Sequence, residues 1–118
     1  MTRMWMIEPK ILCRQHLLGE HKELHQLIGS LRYNREGCVK GHIVRNQVQL
    51  DLIALRHEQL VKEMHDRGYN HHSPIYPDEI NTLIAHYNDY GFIDVEANKI
   101  DLFDRCEECK KRSEECKV

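Results

Sequence analysis

Apolar residues return every three or four positions along most of the chain, the period of a helix and not of a strand. Leu17, Leu24, Leu27, Ile28 and Leu31 make one such stripe, and Pro9 suits a first helical turn. Residues 10–31 are therefore predicted to be a helix, with Gly29 weakening its last turn. Residues 32–41 are polar, contain Gly37 and Gly41, and read as a loop. From Arg45 to Arg67 there are two rows, Val48, Leu52 and Leu55 beside Ile53, Leu60 and Met64. A helix with two apolar rows is predicted to be central and contacted on both sides, with Gly68 closing it as the C′ residue. Pro74 and Pro77 make residues 69–77 a turn. Asp78 and Glu79 favour a helix start, and Ile80, Leu83, Ile84 and Tyr87 give a short stripe that Gly91 stops. Asp94 can cap a last helix from Val95, with Ile100 and Phe103 inward. Residues 106–118 are charged and predicted to fray. Met4, Trp5, Met6 and Ile7 are too apolar for a loose tail and should pack on the rest. The expected architecture is all-α. It is one compact domain over residues 1–118, with three to four helices and the N-terminal segment packed against them.

Length and composition narrow the function. At 118 residues one modest core is affordable without staples. No apolar run is long enough to span a membrane, and the N-terminus lacks a signal-peptide core. A cytoplasmic, monomeric protein is expected, in a bacterial, archaeal or virus-infected cell, with five reduced Cys. Net charge is −2, a mild argument against nucleic acid, but it is unevenly spread. Residues 1–72 hold 11 Lys/Arg against 8 Asp/Glu and eight of the nine His; residues 73–118 hold 6 against 11. A DNA surface belongs in the first part, where partly protonated His would add to it.

Candidate chemistry concentrates near the start. His16, Glu20 and Glu23, spaced by four and three, project from one side of the first helix. Thr2 is small enough for removal of the initiator Met. The resulting α-amine, with a pKa of about 7.7–8.0, is roughly a tenth unprotonated at neutral pH and can act as an imine-forming nucleophile. The residues alone do not choose between Glu20 and Glu23. His21 and His25 are spaced to share a metal, Glu20 is close, and His71-His72 offers further ligands. HKELH is nonetheless not the HExxH pattern. Cys106-x2-Cys109, with Cys116 seven further on, suggests zinc, but Cys13 and Cys38 are far away in sequence. These thiols are expected to be exposed or half-buried and metal-free.

Several of these residues also carry a resemblance. Thr2-Arg3, Gln15-His16-Leu17, Glu20 and Glu23-Leu24, then Gly41-His42-Ile43-Val44 and Arg67-Gly68-Tyr69-Asn70, stand in a shared register. In this the chain resembles the small pyrimidine-dimer DNA glycosylases/AP lyases. The resemblance implies that Thr2 supplies the nucleophilic amine and Glu23 the catalytic carboxylate. It makes Arg3, Gln15, His16 and Lys22 candidate DNA contacts, on double-stranded damaged DNA. It implies no metal and no cofactor. Lys22 stands where the family's type enzyme has Arg, and Gln26 replaces another Arg. The C-terminus, CEECKKRSEECKV, lacks the aromatic and basic ending of that enzyme. The expected activity is removal of UV-induced cyclobutane pyrimidine dimers with strand nicking. The alternatives are the same chemistry on abasic sites or another damaged base, or a non-catalytic helical module binding metal or a partner.

Overall fold

The computed structural model describes residues 3–71 and 73–115, and among them there are helices and no strand. A 3-10 turn over Pro9–Ile11 precedes α1 (Arg14–Arg32). Then come α2 (Glu36–Val44) and a second 3-10 turn (Leu50–Leu52) that runs into α3 (Ile53–Asp66). α4 (Pro77–Ile84), α5 (Val95–Arg105) and α6 (Glu107–Glu115) complete the fold. None is long and apolar enough to cross a membrane.

α1 forms because its predicted stripe faces inward: Leu17, Leu24, Leu27, Ile28 and Leu31 are all buried. It packs on α2, α3 and α4. It starts later than expected because Leu12 and Cys13 are extended, which separates the 3-10 turn at Pro9 from the helix. Helices α1, α2 and α3 end the same way. A residue in the left-handed region, Asn34, Asn46 or Gly68, follows the cap. The next amide then donates back to the helix: Arg35 to Ser30, Gln47 to His42 and Tyr69 to Met64. This is a Schellman closure, and only Gly and Asn enter that region cheaply.

Four expectations are corrected. Residues 36–44 are helix and not loop, a short one burying only Val39 and Ile43. The helix expected from Arg45 begins at Leu50, because the chain turns out at Asn46 and extends at Gln49. Leu55 is consequently exposed, and Arg56 and His57 take the inner face. In α5, capped by Asp94 accepting from the Ala97 amide at 3.1 Å, Asn98 and Leu102 face inward and Ile100 is 74% exposed. Finally, the stretch expected to fray is α6 as far as Glu115, with Cys109 and Ser113 buried. Gly91 marks the closest backbone approach: a Cβ there would lie 2.3 Å from the Val48 carbonyl oxygen.

α1 and α3 are joined by a buried ion pair. Arg56 donates from Nε and Nη2 to the two carboxylate oxygens of Glu20, at 2.5 and 2.9 Å, and both side chains are at most 1% exposed. Such a pair adds little over an apolar contact, but removing one partner strands a buried charge, at a cost of about 3–5 kcal/mol. Arg56→Met should therefore lose about that much in urea denaturation, and Glu20→Met/Arg56→Met together should recover most of it. Equal losses in the single and double variants would refute the coupling.

Candidate active site

The polar face of α1 does not act as one group. Glu20 is taken by Arg56 and shielded from solvent. Glu23, three residues on, is only half-buried. Burial pushes its carboxyl above the ordinary value, while the backbone N–H and the guanidinium of Arg3 pull the other way. The first described residue of the N-terminal segment thus meets the carboxylate singled out by resemblance. Thr2 lies outside the described residues.

The other predicted contacts are scattered over this end of the molecule. Arg3 turns toward α5: it donates to Asp101 Oδ2 and to Asn98 Oδ1, each at 2.7 Å, and lies 3.9 Å over the Trp5 ring. Asp101 also accepts from Arg105 at 2.9 Å. Burial alone would raise the Asp101 carboxyl, but these two guanidiniums outweigh it and hold the carboxyl below its usual value. Gln15 and Lys22 are exposed, as is Gln26. His16 faces inward to a set of thiols. Its Nδ1 lies 3.2 Å from Cys13 Sγ and 3.5 Å from Cys109 Sγ, with Cys106 Sγ 3.9 Å from Cys13 Sγ. The segment-to-segment spacing that announces this group, Cys13-x2-His16 against Cys106-x2-Cys109, is in the sequence.

A second group gathers around His21 and His25. His71 joins it as expected, with its Nε2 2.9 Å from that of His21. His57 of α3 joins it too, which the sequence reading missed, whereas Glu20 turns away to Arg56. His72 lies outside the described residues. The candidate ligand atoms of these four imidazoles lie within 4.8 Å of one another. The ring nitrogens of His57 make no hydrogen bond of ordinary geometry among the described residues. Burial, then the neighbouring imidazoles, lower the pKa of His21 and His57 to about 4, against a slight opposing effect of the Ser73 backbone at His57. His25 and His16 are lowered as well, chiefly by burial. His21 and His57 are therefore neutral at pH 7, and His25 and His16 are shifted in the same direction. The expectation that they add positive charge to a DNA surface is corrected, because close packing disfavours every additional proton.

The sign of the consequence follows from linkage. Between the unfolded value of 6.5 and about 4, the unfolded chain binds protons at His21 and His57 that the folded chain refuses. Stability from this source is complete above pH 6.5 and is lost as pH falls through that window. The urea midpoint should drop from pH 7 toward pH 4, and the His21→Gln/His57→Gln variant should show a shallower fall. An unchanged slope would remove these two imidazoles as its cause.

A search of curated proteins gave no match, and neither did a search of solved structures. A protein-family model described as pyrimidine dimer DNA glycosylase matches residues 2–77. The matched stretch holds the N-terminal segment, Glu20, Glu23 and the four clustered imidazoles; α5 and α6 lie outside it. With well over half of its residues matched, the chain belongs to the pyrimidine dimer DNA glycosylase family of DNA-repair enzymes.

Proposed function

We propose that the chain removes UV-induced cyclobutane pyrimidine dimers from double-stranded DNA and nicks the strand, by an imine mechanism in which Thr2 and Glu23 do the chemistry. The observation that carries this reading is the meeting of the Arg3 backbone N–H with the Glu23 carboxylate. Residue 2, the proposed nucleophile, is the next residue of the chain, and Glu23 is the carboxylate of this face that Arg56 does not occupy.

In the proposed reaction the Thr2 α-amine attacks C1′ of the dimer's 5′ nucleotide. The C1′–N glycosidic bond breaks, its electrons leave with the base, and Glu23 stabilises the positive charge that grows on the sugar. Ring opening gives an imine between C1′ and the amine, which acts as electron sink. Removal of a C2′ proton, assisted by Glu23, then expels the 3′ phosphate. The half-burial of Glu23 favours this double role, since a carboxylate with a raised pKa is a better proton acceptor. No metal or organic cofactor enters any step.

DNA would lie across the start of α1. Gln15 and Lys22 are exposed there, and Lys22 offers a point charge without the fork geometry of Arg. Arg3 is engaged by Asp101, so a phosphate must compete for it or share it. His16 would contribute as a neutral ring. A monomer suffices for this chemistry. Selectivity for damage would draw on the lower cost of distorting an already distorted duplex.

The test is borohydride trapping on a duplex with one thymine dimer, read by gel and intact mass. A covalent adduct mapping to Thr2, on protein lacking Met1, is expected. Glu23→Gln should bind the duplex as well as the parent and nick it about 10²–10⁴-fold more slowly. Unchanged nicking by this variant would end the assignment of Glu23. Trapping on an abasic duplex alone would keep the imine and replace the dimer as substrate, a reading favoured by an α6 without aromatic residues.

A further inference from the structure

We infer that Cys13, His16, Cys106 and Cys109 bind a zinc ion, and that this ion fastens α6 to the start of α1. The inference shares His16 with the proposed DNA face but does not rest on the DNA chemistry. Two of the ligands lie in the family-matched stretch and two beyond it.

Spacing in space is the first argument. Zn–S bonds are about 2.3 Å and Zn–N bonds about 2.0–2.1 Å, so tetrahedral ligation puts sulfurs about 3.8 Å apart and sulfur and nitrogen about 3.5 Å apart. The measured separations are 3.9 Å for Cys13 Sγ to Cys106 Sγ, and 3.2 and 3.5 Å from His16 Nδ1 to Cys13 Sγ and Cys109 Sγ. All four atoms fall within 4.8 Å of one another. Four donors at these distances surround a point that a single ion can reach.

The donor set is the second argument. Three thiols and one imidazole, with no carboxylate in the group, suit a borderline-soft ion in a closed structural site. The backbone is arranged for thiolates. The Cys13 amide donates to Cys109 Sγ at 3.2 Å, and the Cys109 amide donates to Cys106 Sγ at 3.5 Å. Amide donors to sulfur are the outer support that metal-bound thiolates use. Both pairs also have the short spacing, C-x2-H and C-x2-C, that places two ligands on one turn.

The third argument is what holds α6. Its sequence EECKKRSEE has no apolar stripe, and a free helix of nine residues is not stable in water. It buries Cys109 and Ser113 and donates from Arg112 to the Lys10 carbonyl at 3.1 Å. Beyond its packing on α5 and on the 3-10 turn at Pro9, that is a small anchorage. An ion bridging Cys106 and Cys109 to Cys13 and His16 supplies the missing tie. Two buried thiols, a half-buried thiol and a half-buried imidazole become ligands. Zinc binding replaces the thiol protons, which leave to solvent, so no oxidant or reductant is involved.

The full-length protein, purified without chelator, should hold one zinc by native mass spectrometry. Replacing it with Co²⁺ should give the intense near-ultraviolet band of thiolate-to-cobalt charge transfer. Cys38→Ser should leave both unchanged, and Cys106→Ser should lose the zinc and most of that band. Chelation should make Lys110, Lys111 and Arg112 the first sites cut by trypsin. If Cys106→Ser does not fold, the Co²⁺ spectrum of the parent protein decides alone. Three results would overturn the proposal: folded parent protein that binds neither zinc nor Co²⁺, Co²⁺ bound without the thiolate band as at the imidazole group, or a disulfide between Cys13 and Cys106.

Discussion

The structure depends on holding an N-terminal segment that has almost no secondary structure of its own. Its peptide groups cannot be satisfied locally, so each must borrow a partner or be left unmade at about 1–3 kcal/mol. The Met4 amide donates to the Gln47 carbonyl at 2.8 Å, and Asn98 Nδ2 reaches the Trp5 carbonyl at 2.9 Å. Arg67 Nη2 reaches the carbonyls of Pro9 and Leu12 at 3.1 and 2.7 Å, and Arg112 reaches that of Lys10. These partners come from the α2–α3 connection, α5, the end of α3 and α6. Met6 takes a left-handed φ of 56°, a conformation that bulky residues seldom adopt, and its neighbours Trp5 and Ile7 are both buried. Strain of this kind persists only where the surroundings over-determine it. A segment held at this many points is what the proposed N-terminal nucleophile requires.

The same economy separates two chemically identical side chains. Glu20 and Glu23 lie on one side of one helix, yet Arg56 claims the first and leaves the second half-exposed beside Arg3. A buried carboxylate with two guanidinium bonds has no capacity left for a substrate. A half-buried one keeps both an open oxygen and a raised affinity for protons. This is why one helix can carry a structural acid and a candidate catalytic acid three residues apart. It also ties the proposed catalysis to α3, because Arg56 takes up the competing carboxylate.

The helices that were legible in the sequence are those that bury a regular stripe. α1, α4 and the Gly68 closure of α3 follow from periodicity and cap chemistry, as does Asp94 at the head of α5. What was not legible depends on contacts between distant segments. α2 buries two residues and has no stripe to see. The shift of α3 comes from a turn at Asn46, a residue that enters the left-handed region without announcing it. Asn98 faces inward in place of Ile100 because two carbonyls of the N-terminal segment need a donor there. Arg56 and His57 were hidden for a similar reason, since polar residues in an apolar row are explained only by what they meet. Cys106 and Cys109 have no further ligand nearby in sequence, although Cys13 and His16 repeat their spacing.

The imidazoles bear on how such a chain meets DNA. Eight of its nine His lie in the first 72 residues, and by composition they would strengthen a basic face. Four of them, His21, His25, His57 and His71, are packed against one another and disfavour further protons, and His21 and His57 are held near 4. Positive charge on that face must come from Lys and Arg, of which Arg3 and Arg56 are already committed to carboxylates. In the proposed mechanism discrimination would then rest less on general attraction to the duplex than on how readily damaged DNA deforms.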